Sequence, residues 1–190
     1  LRHRYGGPRD LVLGVQVALP DGSLARAGSK VIKNVAGYDL AKLMTGAYGT
    51  LGVVTEVSVR LHPAPRNSLT VVVRRDDPRA LAEAARELTH RPLEAERLDL
   101  RWEGDGGAVL VQLCGSSAPE RADDVDGEVV EDDEALWAAQ RAAQRGPVVL
   151  RLSTTQRGLA DVLAAAREHG AVCVARQILS GKYRDVRLLE

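Results

Sequence analysis

Apolar and polar positions follow two different rhythms along the chain. Residues 12–19 (Val-Leu-Gly-Val-Gln-Val-Ala-Leu) form a short apolar run rich in β-branched side chains, which predicts a strand. Pro20-Asp21-Gly22-Ser23 then supplies turn chemistry, and Leu24-Ala25-Arg26 returns as a second strand, so this stretch reads as a hairpin. Asp39 is placed to cap a short helix through Leu40, Leu43 and Met44 that stops at Gly46. From Val53 to Leu61 apolar and polar residues alternate after the first two positions, the pattern of a half-buried strand.

Beyond residue 67 helices enter the pattern. Strands are predicted at 69–73, 98–102, 108–113, 148–152 and 172–176. Helices are predicted at 78–88, with Pro78 in its first turn, at 135–144, and at 159–168, closed by Gly170. Residues 116–134 carry nine acidic side chains in their last fifteen positions, which reads as a solvated connection. Strands interleaved with helices in this order predict an α+β fold, helices layered on an antiparallel sheet.

Charge sharpens the division. Residues 1–66 carry nine Lys/Arg against four Asp/Glu, whereas residues 67–190 carry 17 against 22. The Pro63-Ala64-Pro65 segment at this junction ends regular structure, so domains are expected at 1–66 and 67–190. The whole chain of 190 residues is neutral, with 26 basic and 26 acidic side chains, which argues against a nucleic-acid binder. No apolar run reaches the roughly 18 residues of a membrane-spanning helix. Two cysteines, Cys114 and Cys173, suit a reduced cytoplasmic setting and lack metal-ligand spacing. The chain opens Leu1-Arg2-His3-Arg4 without an initiating Met, and is read as a piece whose upstream part lies elsewhere.

Candidate chemistry concentrates between Lys30 and Pro65. Gly46, Gly49 and Gly52 recur at intervals of three just before a strand, where backbone without side chains can turn sharply or lie close to a flat or phosphorylated ligand. The same glycines suit a tight loop that serves only the fold, and the spacing leaves both readings open. It does exclude two common nucleotide motifs. The glycines are not spaced G-x-G-x-x-G after an apolar strand, and no lysine follows them as in a P-loop. The histidines, His3, His62, His90 and His169, form no closely spaced pair, so no metal site is expected and no catalytic residue is named.

Five motifs occur in order: residues 4–14 (Arg-Tyr-Gly-Gly-Pro-Arg-Asp-Leu-Val-Leu-Gly), 19–22 (Leu-Pro-Asp-Gly), 33–40 (Lys-Asn-Val-Ala-Gly-Tyr-Asp-Leu), 49–57 (Gly-Thr-Leu-Gly-Val-Val-Thr-Glu-Val) and 63–65 (Pro-Ala-Pro). Together they resemble the FAD-linked oxidases of the vanillyl-alcohol oxidase/PCMH type, most of all the FAD-binding subunit of bacterial glycolate oxidase. A fainter likeness continues at Glu134-Ala135-Leu136-Trp137, similar to a tryptophan-bearing helix of that family's C-terminal domain. The resemblance implies the C-terminal lobe of a PCMH-type FAD-binding domain over 1–66, followed by an α+β cap domain over 67–190. It further implies that Tyr5 and Gly6 lie near the flavin. Gly46, Gly49, Thr50, Gly52, Val53 and Val54 would line the adenosine part. The plainer reading of Val53 and Val54 is strand core, and of Arg9-Asp10 an ion pair that fixes its loop.

Many relatives have Gly-Ser-Glu-Gly where this chain has Gly46-Ala47-Tyr48-Gly49, so a hydroxyl and a carboxylate are missing. The family's upstream pyrophosphate loop and the paired-His metal site of its catalytic sister subunit have no counterpart here. The implied function is an FAD-binding subunit of an oxidoreductase acting on a 2-hydroxy acid such as glycolate. Its implied partners are a sister flavoprotein and an iron–sulfur subunit, either in the cytoplasm or held at a membrane by them. The alternative is a flavin-fold scaffold or electron-transfer partner that docks a catalytic sister. This piece alone is expected to be inactive.

Overall fold

The computed structural model describes residues 5–29, 39–64, 67–176 and 182–189. They fall into two compact units, Leu1–Ala64 and Pro65–Glu190. The motif at 33–40 lies outside the described residues except for Asp39 and Leu40, as do Lys30 and Pro65, the bounds of the stretch singled out for its chemistry.

Among the described residues, the N-terminal unit is a three-stranded antiparallel sheet with two short helices. In chain order it comprises α1 (Pro8–Leu11), β1 (Val12–Ala18), β2 (Leu24–Gly28), α2 (Leu40–Met44) and β3 (Val53–Val59), the strands lying in the order β2-β1-β3. The hairpin turn is held by Asp21, whose carboxylate accepts from the Ser23 amide at 2.9 Å and the Ser23 hydroxyl at 2.6 Å. Val15 and Val17 of the central strand are buried against Ala41 of α2, and Val12, Leu19, Ala27 and Met44 close around them. Two expectations are corrected here. Asp10 forms no ion pair with Arg9; its carboxylate accepts from the Gly7 amide at 2.7 Å and so caps α1. β3 is present but is not half-buried: Val53, Val54, Val57 and Val59 are 66%, 45%, 52% and 47% exposed. The five-residue α2 is too short to reach past the central strand, which leaves this edge strand uncovered within the unit.

The C-terminal unit is built on a seven-stranded antiparallel sheet with the order β7-β4-β6-β5-β9-β10-β8. Its strands are β4 (Ser68–Arg75), β5 (Arg97–Glu103), β6 (Gly106–Cys114), β7 (Glu128–Val130), β8 (Val149–Thr155), β9 (Val172–Arg176) and β10 (Lys182–Leu189). Among the described residues, four helices, α3 (Pro78–His90), α4 (Ala118–Asp123), α5 (Glu134–Ala142) and α6 (Leu159–Glu168), connect them. Period-two alternation puts Leu69, Val71 and Val73 of β4 on one face. Leu98, Leu100 and Trp102 of β5, with Val109, Val111 and Leu113 of β6, join them there. On that face Leu81, Ala85 and Leu88 of α3 and Leu159 and Leu163 of α6 complete the main core. Asp77 caps α3 by accepting from the Ala80 amide at 2.8 Å, with Pro78 at the first helical position as expected.

The acidic stretch at 116–134 is not a mere solvated connection. It holds α4 and β7, and Ala118, Ala122 and Val125 reach the main core. Three small apolar residues at intervals of four and three are enough to bury one side of a turn and a half of helix. Their acidic neighbours hide that spacing. β10, unforeseen in the sequence, pairs between β9 and β8.

Gly107 shows how tightly the core is packed. A Cβ there would lie 2.4 Å from Leu81 Cδ2 and 2.7 Å from Trp102 Cε3. Gly107→Ala is therefore expected to destabilise the C-terminal unit by about 2 kcal/mol. Its urea midpoint checks this, and an unchanged midpoint would show that the helix layer yields freely.

Candidate functional site

The loop between α2 and β3 carries most of the expected site residues. Asp39 caps α2, its carboxylate accepting from the Lys42 amide at 3.1 Å and meeting the Lys42 ammonium at 3.2 Å. The amide first, then the ammonium, holds this carboxyl below the usual carboxylate range. The helix ends where Thr45 Oγ1 donates to the Ala41 carbonyl at 2.9 Å. Two tight turns follow: Ala47 N–H to Met44 O at 3.2 Å, and Thr50 N–H to Ala47 O at 3.0 Å. Thr50 Oγ1 donates to the same Ala47 carbonyl at 2.7 Å, so its hydroxyl braces the loop.

The three glycines do different work. Gly46 and Gly49 have φ of +88° and +79°, and among the described residues, their own chain neighbours aside, no atom lies within 4 Å of where their Cβ would stand. Both need glycine for the turn, and both present bare backbone to open space. Gly52 instead faces inward, where a Cβ would meet Val17 Cγ1 at 2.7 Å and the Ala18 carbonyl at 2.8 Å. Close packing on β1 accounts for Gly52 without any ligand. Around the open pair stand Tyr48, 98% exposed at φ +53°, with Leu51, Val53 and Val54, all exposed. The plain strand-core reading of the two valines is thus not what the unit displays.

Tyr5 and Gly6 lie at the other end of this sheet. The Tyr5 ring sits 4.7 Å from the His62 ring, just beyond β3, and Gly6 at φ +83° lies against Asp10. The glycine loop opens β3 and Tyr5 stands past its close, so a seven-residue strand of roughly 20 Å separates them. The two groups of expected site residues occupy opposite ends of one strand.

The arrangement suits a long, flat ligand with an aromatic end. Two bare backbone positions ringed by exposed apolar side chains can accept an adenine–ribose face. Lys42, 46% exposed and next to the loop, adds a cation for a phosphate. Among the described residues, no three His, Cys, Asp or Glu converge as a metal ion requires.

Sequence reasoning missed two features of the C-terminal unit. One is a buried polar network centred on Asp133, with Ser68, Thr70, Gln112 and Trp137. The other is a cavity holding Arg101 and Gln140. The signal for both was polar residues, Thr70, Gln112 and Arg101, at alternating strand positions on the face away from the main core.

No family model matches the chain. It is 41% identical over 110 residues to glycolate oxidase subunit GlcE of Escherichia coli (strain K12), a match covering 55% of this chain and 31% of that protein. It is 30% identical over 164 residues to a D-lactate dehydrogenase of Archaeoglobus fulgidus, covering 81% of this chain and 35% of that one. The chain thus spans about a third of the length of these curated relatives. Among solved structures, p-cresol methylhydroxylase superposes with a TM-score of 0.66 at 16% identity, over 95% of this chain and 51% of that chain. The antiparallel α+β architecture agrees with that fold. Sequence kinship and fold converge: the chain's homologues are FAD-linked oxidases of the vanillyl-alcohol oxidase/PCMH type, a family whose cofactor is FAD.

Proposed function

We propose that this chain forms the adenosine-binding part and the cap of an FAD-binding subunit in an oxidoreductase acting on a 2-hydroxy acid such as glycolate. The observation that carries this reading is the open pair Gly46 and Gly49, bare backbone at positive φ among exposed apolar side chains. Residues 1–66 act as the C-terminal lobe of the FAD-binding domain and residues 67–190 as the cap.

Gly46, Gly49 and Thr50 shape the loop that receives the adenine and ribose, and Leu51, Val53 and Val54 exclude water from that face. Gly52 fastens the loop to β1. Tyr5 and Gly6, at the far end of β3, flank the flavin end of the extended cofactor. When bound, FAD supplies the two-electron redox chemistry. The relatives named as a glycolate oxidase subunit and a D-lactate dehydrogenase support a small 2-hydroxy acid as substrate. The word subunit in the first of these names supports work within a complex, with a sister flavoprotein and an iron–sulfur subunit as the proposed partners in the cytoplasm.

The test is visible absorption of the purified gene product that contains these 190 residues. Flavin bands near about 370 and 450 nm, the longer one bleached by anaerobic glycolate or D-lactate, are expected. A colourless preparation that takes up no added FAD would overturn the reading.

A further inference from the structure

Residues 47–50 form a turn that suits their sequence poorly. The Thr50 amide donates to the Ala47 carbonyl at 3.0 Å, so Tyr48 and Gly49 are the central pair, with φ of +53° and +79°. Positive φ at both central positions marks a type I′ turn, which Asn-Gly, Asp-Gly and Gly-Gly form most readily. Gly49 follows that rule and Tyr48 breaks it. At positive φ its Cβ crowds the following carbonyl oxygen, and its ring lacks the short polar group that lets Asn or Asp settle there.

The strain is held in place by the neighbours of Tyr48. Thr50 Oγ1 donates to the same Ala47 carbonyl at 2.7 Å, and the Ala47 amide donates to the Met44 carbonyl at 3.2 Å. The ring itself is 98% exposed, so burial against this chain does not offset the backbone cost. Strained residues of this kind cluster at ligand contacts, where the surrounding structure fixes a side chain for a group that the fold does not need.

The surroundings limit what that group can be. Gly46 and Gly49, two positions before the tyrosine and one after it, carry no side chain that could shield the ring. Leu51, Val53 and Val54 follow in the chain and are themselves exposed. An ion or a small polar solute gains little from such a surface. A flat aromatic group gains from the ring face and from the aliphatic side chains together.

We propose that the Tyr48 ring stacks on the adenine of FAD. The proposal rests on the flavin reading of this loop and deepens it. The two open glycines give the base and ribose room, and the tyrosine supplies the flat face that holds the base. The contact belongs to the ring rather than the hydroxyl, because a purine offers its π-face whatever its edge groups are. A ring fixed by a braced turn also loses less freedom when the cofactor arrives than one on a slack loop.

Tyr48→Asn separates this role from a structural one, because Asn is the residue that a type I′ turn favours. FAD is titrated, by flavin fluorescence, into the gene product that contains these 190 residues after its flavin has been removed. Tyr48→Asn is expected to weaken FAD by about tenfold. The thermal midpoint of the flavin-free protein should meanwhile stay equal or rise, since the turn is relieved. Tyr48→Phe keeps the ring and should bind FAD within about twofold of the unaltered protein. Equal affinity in Tyr48→Asn and the unaltered protein would overturn the proposal and leave the flavin reading standing. A loss in Tyr48→Phe as large as in Tyr48→Asn would overturn it too, by making the hydroxyl the contact. So would a lowered midpoint in Tyr48→Asn, which would mark the ring as a structural part. An unaltered gene product that takes up no FAD would overturn the flavin reading and this proposal together.

Discussion

Gly49→Val in the gene product is expected to cut FAD retention by at least about tenfold while the C-terminal unit unfolds at an unchanged midpoint. Gly49 holds φ +79° and, its chain neighbours aside, no described residue comes within 4 Å of its missing side chain. Valine there meets two penalties. The positive φ costs roughly 1–2 kcal/mol of backbone strain. Two methyls also fill the space from which a ligand would approach the main chain. Gly22 separates the two effects. It has φ +84° and equally open surroundings among the described residues, and sits in the β1–β2 turn, which reaches the same end of the sheet as the loop but is no part of it. Gly22→Val should carry the same strain and keep its flavin. Equal flavin occupancy in both variants would reduce Gly49 to a turn residue. Gly52→Val is not a clean probe, because its side chain would strike Val17 and disturb β1 directly.

The second large effect is expected in the C-terminal unit. Asp133→Ala should destabilise the C-terminal unit by about 3 kcal/mol, a fall of roughly 10 °C in Tm. Asp133 is 6% exposed and accepts three hydrogen bonds, from Ser68 Oγ at 3.1 Å, Thr70 Oγ1 at 2.8 Å and Gln112 Nε2 at 2.8 Å. Thr70 spends its proton on Asp133 and its lone pair on Trp137 Nε1, at 2.9 Å. Arg97 lies over the Trp137 ring, 5.1 Å from its centre. Removing the carboxylate leaves two buried donors unpaired and loosens the start of α5 on the sheet. Asp133→Asn keeps one acceptor oxygen and should lose clearly less. Thermal unfolding followed by circular dichroism checks both, and a shift under about 2 °C in Asp133→Ala would show that the network carries little.

The sequence made some elements plain and concealed others for physical reasons. The β1–β2 hairpin was legible because Pro20-Asp21-Gly22 fixes a turn locally. α3 was legible because Leu81, Ala85 and Leu88 repeat at helical spacing behind an Asp77-Pro78 start. α4 and β7 were hidden, since nine acidic residues outweigh the few apolar positions that pack. β10 was missed as well: charged and apolar residues mix along 182–189, and its pairing with β8 and β9 is a long-range fact. Burial of β3 was overestimated, because alternation reveals which face could be covered, not whether a neighbouring layer covers it. At the site, the spacing of Gly46, Gly49 and Gly52 suggested three equivalent contacts. Their division into two outward positions and one packed against Val17 depends on the register of β3 with β1, which no local pattern encodes.

The central claim is that bare backbone at Gly46 and Gly49 receives the adenosine half of FAD. A crystal structure of the gene product with FAD bound tests it most directly. The account predicts adenine or ribose atoms within about 4 Å of both Cα atoms, with Gly52 still seated on Val17. A dinucleotide lying elsewhere, with both glycines facing solvent, would contradict it.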